Sequence, residues 1–242
     1  HLTIYPTVAD ALTLGGSNLA IDGVLLIGEH GTYDTNEKGQ RLYPRYELFK
    51  QIVAVYRTTG STAPVFNDKH LSWNWEWARE MYDLSVEMGF AFMAGSSLPV
   101  ARRMPAVDLP WKSKIRESLV MRPGWLDGGD IHTIEALQAI IERRNHGETG
   151  IAWVEALEGD RFWKAMEAGS WEKGGWDRQL METGFTRSNT IQVVRENYGV
   201  VLPKIADLKR MAPGSYAYRF QYRDGTRATA LAFREKERQG RR

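Results

Sequence analysis

The sequence predicts an α/β protein: a parallel sheet of alternating strands and helices, then an α+β part that closes on an antiparallel hairpin. Three observations predict it. Short apolar runs at Val24-Leu25-Leu26-Ile27, Pro64-Val65-Phe66 and Phe90-Ala91-Phe92-Met93-Ala94 alternate with stretches of helical periodicity. Strands spaced by helices of this length are joined by crossovers, and crossovers make parallel pairs. Near the end, Tyr216 to Tyr222 and Thr226 to Phe233 flank Asp224-Gly225, a dipeptide suited to a hairpin turn.

Taken in order, Thr7 caps a short helix over Val8 to Leu14. Asp22 to Gly28 reads as a buried strand, because it is short, continuous, apolar and bounded by glycine. Tyr46, Phe49, Val53 and Tyr56 then recur at helical spacing, with Ile52 alongside, until Gly60 stops the helix. After the strand at Pro64-Val65-Phe66, the stripe Trp77, Met81, Leu84, Met88 marks a second helix, ending at Gly89. The third strand follows. Ser97 to Pro110 is rich in proline and arginine and reads as a linker. Beyond it, Ile115 to Val120 and Ile151 to Leu157 look like strands, and Ile131, Ile134, Leu137 and Ile141 form a helical stripe. Residues 160–210 show no clear period. The expected division is an α/β domain over residues 1–100 and an α+β domain over 101–242.

The 242 residues are 43% hydrophobic and 26% charged, an ordinary globular balance. No apolar run approaches the roughly 18 residues of a membrane span, and no basic-then-apolar leader opens the chain. It begins at His1 rather than Met, as a processed, trimmed or internal segment would. The absence of cysteine excludes disulfides, thiolate metal sites and a cysteine nucleophile, and is compatible with a cytoplasmic location. The net charge is +2, but residues 234–242 hold five basic and two acidic side chains, so the body is close to neutral. A nucleic-acid partner, which needs a basic face on the fold, is not expected. Neither is a membrane.

In a parallel sheet, ligands bind outside the carboxyl ends of the strands. The first strand ends in Glu29-His30, the second in Asn67-Asp68-Lys69-His70, the third in Gly95-Ser96-Ser97. All three clusters should emerge at one edge. Lys69 is the leading candidate, since a lysine in a cleft can exchange a proton with a substrate hydroxyl, with Asp68 and His70 to orient it. The bland alternative is that Asp68 caps the next helix, a task for which Ser72 and Asn74 compete. In Gly128-Gly129-Asp130-Ile131-His132-Thr133-Ile134-Glu135, the glycines allow close backbone approach, and His132 and Glu135 share a helical face. Here the bland alternative is that Asp130 caps the helix and Glu135 faces water. Trp73, from the cluster Trp73-Asn74-Trp75-Glu76-Trp77, can stack on a sugar face or simply pack. His30, His70 and His132 with Glu29 and Asp68 form an alternative metal site, although no HxH or HExxH spacing is present. There is no G-x-G-x-x-G after a first strand, no Walker A lysine motif, and no G-x-S-x-G elbow.

Three stretches resemble the Gfo/Idh/MocA family, the glucose-fructose oxidoreductase and inositol dehydrogenase group. They are Ile4-Tyr5-Pro6-Thr7 through Ile27, Pro64 to His70 with the helix and strand up to Ser96, and Gly128-Gly129 to Glu135. Together they cover about residues 4–157. The resemblance implies a partial Rossmann-like α/β domain followed by an α+β substrate and oligomerisation domain. It also implies that Lys69 contacts substrate and nicotinamide, and that His132 handles the substrate hydroxyl proton. Glu29, His30 and Ser96 would then lie on the cofactor side, and Trp73, Asp130 and Glu135 on the substrate side. The chain departs from the family pattern in several respects, a C-terminal sheet that stops after Phe233 among them. The Gly-rich first βαβ unit that holds NAD or NADP has no counterpart, His70 stands in place of the motif proline, and Gly128 stands where a carboxylate is usual. The expectation is a sugar- or polyol-directed oxidoreductase-like enzyme, with a small carbohydrate substrate and a homo-oligomeric assembly. The alternatives are a redox-assisted or metal-dependent glycoside hydrolase and a non-catalytic sugar-binding remnant.

Overall fold

The computed structural model describes residues 2–28, 31–124, 128–187, 194–196 and 199–234. It forms two compact units, His1–Ser97 and Leu98–Arg242. The architecture is α/β, with a three-stranded parallel sheet in the first unit and a four-stranded mixed sheet in the second.

The first unit runs α1 (Val8–Thr13), β1 (Val24–Leu26), α2 (Arg45–Thr59), β2 (Val65–Asp68), α3 (Trp75–Met88) and β3 (Phe92–Gly95). Each helix ends where its sequence signals say. Thr7 Oγ1 accepts from Asp10 N at the start of α1, and Gly60 and Gly89 take the left-handed conformation after α2 and α3. Asn74, not Asp68, caps α3: its Oδ1 accepts from Glu76 N and Trp77 N. The strands pair in the order β1-β2-β3, all parallel, so their carboxyl ends share one edge. β2 runs two residues beyond Phe66, which brings Asp68 into the ladder opposite Gly95.

One expectation fails here. The first strand is not buried on both sides. Phe49, Ile52 and Val53 of α2 and Met81 and Leu84 of α3 all pack on the face that carries Leu26 and Val65. The side chains that alternate with these are left out, and Leu25, Ile27 and Met93 are 73%, 62% and 59% exposed. Two crossovers joining adjacent strands in sequence put both helices on one face, so an apolar strand does not guarantee a second covering layer.

The second unit contains β4 (Glu117–Pro123), α4 (Asp130–Ile141), β5 (Ile151–Glu158), α5 (Gly159–Ala168), α6 (Arg178–Arg187), the short pair β6 (Val194–Glu196) and β7 (Gly199–Val201), α7 (Ile205–Met211), β8 (Tyr216–Tyr222) and β9 (Arg227–Phe233). The expected linker contains a 3₁₀ turn at Leu98–Val100, and the strand expected from Ile115 lies two residues later. The period missing from 160–210 reflects three short helices and a two-residue-connected ladder, each too brief for a repeating stripe. The sheet order is β4-β9-β8-β5, with β4 parallel to β9 and the other pairs antiparallel. Phe162, Trp163, Met166, Met181, Phe185 and Leu208 from α5–α7 cover one face. Leu137 and Ile141 of α4 cover the other, against Phe220, Tyr222, Ala228 and Ala230. Tyr216, Tyr218 and Phe220 of β8 pair with Ala232, Ala230 and Ala228 of β9, so large rings alternate with small neighbours on the α4 face.

The hairpin turn is held from outside. Arg144, buried beyond the end of α4, donates from Nε to Asp224 Oδ2 at 2.7 Å, and its guanidinium stacks 4.3 Å from the Tyr222 ring centroid. Burial pushes the Asp224 carboxyl up, but hydrogen bonds from Arg144 and Thr226 outweigh it and hold the pKa at about 2, against an ordinary 3.8. A depressed folded value stabilises the fold above the unfolded pKa, and that stability is lost as pH falls through the folded one. Asp224→Asn should therefore cost about 2 kcal/mol at neutral pH. In urea unfolding curves its deficit should shrink as the pH is taken from about 4 toward 2.

Candidate functional site

The edge where β1, β2 and β3 end is organised by one buried cation. Arg45 continues the apolar stripe of α2, four residues before Phe49 and seven before Ile52, and is 0% exposed. Its Nε donates to the carbonyl of Asp68 at 3.1 Å, and its Nη1 lies 3.0 Å from His70 Nε2. A guanidinium only donates, so Nε2 accepts and the ring proton sits on Nδ1. Arg45 also stacks 4.5 Å from the Tyr43 ring centroid, and Tyr43 meets the His70 ring edge-on. From the other side, the buried Asn67 donates through Nδ2 to the His70 carbonyl at 2.9 Å. The backbone on both sides of Lys69 is thus fixed.

Between these anchors Lys69 adopts φ +64°, the left-handed region that glycine fills at no steric cost. Its N–H donates to Gly95 O at 2.9 Å, which extends the β2–β3 pairing past the end of the strand. Its Nζ lies 2.8 Å from Asp68 Oδ2, with both side chains about one-fifth exposed, at 19% and 20%. The pair is accessible without being fully hydrated. Asp68 is therefore an ion-pair partner and not a helix cap. Ser96 follows Gly95 directly and is half-buried. Glu29 and His30 lie outside the described residues. The half-buried Trp73 packs edge-on against Trp77 at 4.8 Å, and its carbonyl accepts from Gln40.

A second polar centre lies in the second unit. Asp130 is the first residue of α4, and the cap position is Gly129. The carboxylate does not cap the helix. Its Oδ1 accepts from Arg122 Nη2 at 2.7 Å and from Tyr216 Oη at 2.5 Å, and its Oδ2 accepts from Tyr218 Oη at 2.9 Å. Burial first, and the Asp130 charge and hydrogen bonds second, push both phenols above the ordinary 10. Gly129 has a local reason: a Cβ there would collide with the Arg122 guanidinium. Two residues on, His132 Nδ1 lies 3.6 Å from Glu135 Oε2, the histidine side chain 36% exposed and the glutamate 9%. Glu135 does not face water; it is buried behind the ring.

Sequence reasoning missed Arg45, Arg122, Tyr216 and Tyr218. Two signals were present: an arginine on the buried stripe of α2, and two tyrosines two apart on a strand, hence on one face. The metal alternative gains no geometry. Among the described residues no group of three or more His, Asp or Glu could hold an ion, and its member His30 lies outside them.

A dinucleotide also lacks a cradle among the described residues of the first unit. Pyrophosphate binds helix amino termini that follow a strand through a tight glycine turn. Here β1 ends at Leu26 and α2 begins at Arg45, while α3 has its first N–H groups taken by Asn74. Gly28 packs beneath α2, where a Cβ would press on the Leu48 side chain.

The chain is similar in structure to the UDP-N-acetylglucosamine 3-dehydrogenase of Acidithiobacillus ferrooxidans, at 9% identity and a TM-score of 0.46, over 96% of this chain and 53% of that one. It is also similar to the myo-inositol 2-dehydrogenase of Lactobacillus plantarum, at 12% identity and 0.43, over 96% and 55%. The scyllo-inositol dehydrogenase of Lactobacillus casei matches at 13% identity and 0.42, over 94% and 53%. The chain thus spans about half the length of the solved structures it matches. No protein-family model matches it, and no curated protein does. Among the described residues no helix is long and apolar enough to cross a membrane.

Three variants check the geometry. Lys69→Gly should unfold at a denaturant midpoint no lower than the parent. Lys69→Val, β-branched at a left-handed position, should lose about 1–2 kcal/mol. Asp130→Asn removes the charge and puts an amide N–H₂ against at least one donor, Tyr218 Oη if its oxygen keeps the Arg122 and Tyr216 bonds, and should cost about 2–4 kcal/mol. With raised folded values, the phenols contribute stability that is fully present below pH 10 and lost as pH rises through those values. Tyrosinate absorbance should show their ionisation beginning at lower pH in Asp130→Asn.

Proposed function

We propose that this chain is a sugar- or polyol-directed, oxidoreductase-like protein. In this reading the Lys69–Asp68 pair binds a ring hydroxyl, with Asp68 accepting from it, and His132, backed by Glu135, is the second unit's own candidate for proton transfer. The observation that carries the reading is the conformation of Lys69. A non-glycine residue in left-handed backbone at the carboxyl edge of a parallel sheet, over-determined by Arg45 and Asn67, presents its side chain where such sheets bind ligands. The ammonium donates to a substrate oxygen, and Asp68 accepts from a neighbouring hydroxyl or steadies the charge. His70, engaged by Arg45, positions the turn and does not exchange the proton. A nicotinamide, when bound, would supply hydride transfer. The described residues of the first unit do not themselves fit its pyrophosphate, so no step is assigned to it.

A second reading is a sugar-binding protein without turnover, since the Lys69–Asp68 pair can hold a hydroxyl without hydride transfer. One set of measurements separates the two. The chain is assayed on ring polyols and sugars with NAD or NADP, and tryptophan fluorescence follows titration with either nucleotide. Turnover that falls at least about a hundredfold in Lys69→Ala and in His132→Ala, with the circular dichroism spectrum intact, is the expected result. Polyol binding weakened by Lys69→Ala without nucleotide binding selects the second reading. A Lys69→Ala variant that keeps full activity or full polyol affinity contradicts both.

A further inference from the structure

The helix α4 is apolar on two faces, and the mixed sheet uses only one. Ile134, Leu137 and Ile141 pack on the sheet. On the flank, Ala136, Ala139 and Ile140 look instead toward the 3₁₀ turn Leu98–Val100 and line a cavity of about 400 Å³ with Ser118 and Val120 of β4. Two alanines where the helix has room for larger side chains make the hollow, and β4 bounds it as the terminal strand of its sheet. The volume falls in the range of small-molecule sites, whose walls are mainly apolar with a few polar groups to orient the ligand.

The polar groups here carry one sign. Arg102 and Arg103 both line the cavity. Arg103 Nη1 is held by Asp108 Oδ1 at 2.5 Å, and Arg143 Nη2 lies 3.4 Å from Asp108 Oδ2, so that carboxylate is shared by two guanidinium groups. Arg102 adds a third positive charge, and among the described residues that line the cavity none is acidic, so with Asp108 counted at the rim the balance stays positive. An apolar floor beneath an arginine rim matches a ligand with an apolar body and a terminal anion. The Ser118 hydroxyl supplies one further hydrogen-bonding group inside.

We infer that the cavity between the 3₁₀ turn Leu98–Val100, α4 and β4 is a binding site for a small amphipathic carboxylate. The apolar body lies along Ala136, Ala139 and Val120, and the carboxylate meets Arg102 and Arg103. The site lies within the second unit, and its argument uses neither Lys69 nor His132.

Isothermal titration calorimetry on the full chain tests this, with octanoate as probe and 1-octanol as its uncharged counterpart. Octanoate should bind one per chain and more tightly than 1-octanol. Arg102→Glu should weaken octanoate about tenfold and leave 1-octanol within about twofold. Ala139→Phe, which fills the hollow, should remove binding of both. Arg102 is exposed, so its variant keeps the fold and carries the test even where Ala139→Phe unfolds. Absence of octanoate binding in the parent chain overturns the inference. So does an octanoate affinity unchanged by Arg102→Glu.

Discussion

The candidate edge of the first unit depends on the burial of Arg45. A fully buried guanidinium is tolerated only when its charge and its N–H groups are answered by well-placed acceptors. Here the answer includes the Asp68 carbonyl and the His70 ring, which lie on either side of Lys69 in sequence. Satisfying the cation therefore fixes the chain as it leaves β2. The helix supplies the cation, the strand the carbonyl, and the turn the imidazole, so the site's geometry follows from the packing of α2 on the sheet. Left-handed backbone at Lys69 is a consequence that the surrounding bonds impose and hold.

The two sheets solve the problem of covering a face differently. The mixed sheet has α4 on one side and α5–α7 on the other, and its β8 rings sit against β9 alanines in a filled interior. Among the described residues of the first unit, the helices cover one side of the parallel sheet. The row Leu25, Phe66 and Met93, in register across β1, β2 and β3, lies on the other. Asp68 stands two residues beyond Phe66 on the same face, so its pair with Lys69 lies where an apolar surface meets a polar sheet edge. Such a boundary suits a ligand with a ring face and hydroxyls, because one side takes the apolar plane and the other its oxygens.

Most of the fold was legible because its signals are local. Glycine after α2 and α3, Asn74 ahead of α3, and Asp224-Gly225 between β8 and β9 each act within a few residues of themselves. The candidate residues at the β2 end were legible for the same reason, once parallel pairing fixed which end of the strand matters. What stayed hidden depends on distant partners. Arg45 looks like a solvated helix residue until its position on the stripe is weighed. Asp130 looks like a cap until β8 brings Tyr216 and Tyr218 to it from more than 80 residues away. The bare face of the parallel sheet was hidden too, since apolar alternation shows which residues prefer burial and not whether a layer arrives to bury them.

A crystal structure of the chain soaked with myo-inositol tests the central claim, that the turn after β2 holds Lys69 in a strained form in order to present it. The account predicts Lys69 near φ +64°, Asp68 still paired with it, and a ring hydroxyl within hydrogen-bonding distance of Nζ. Lys69 relaxed to negative φ with its ammonium in solvent, and no ligand at the strand end, would contradict it.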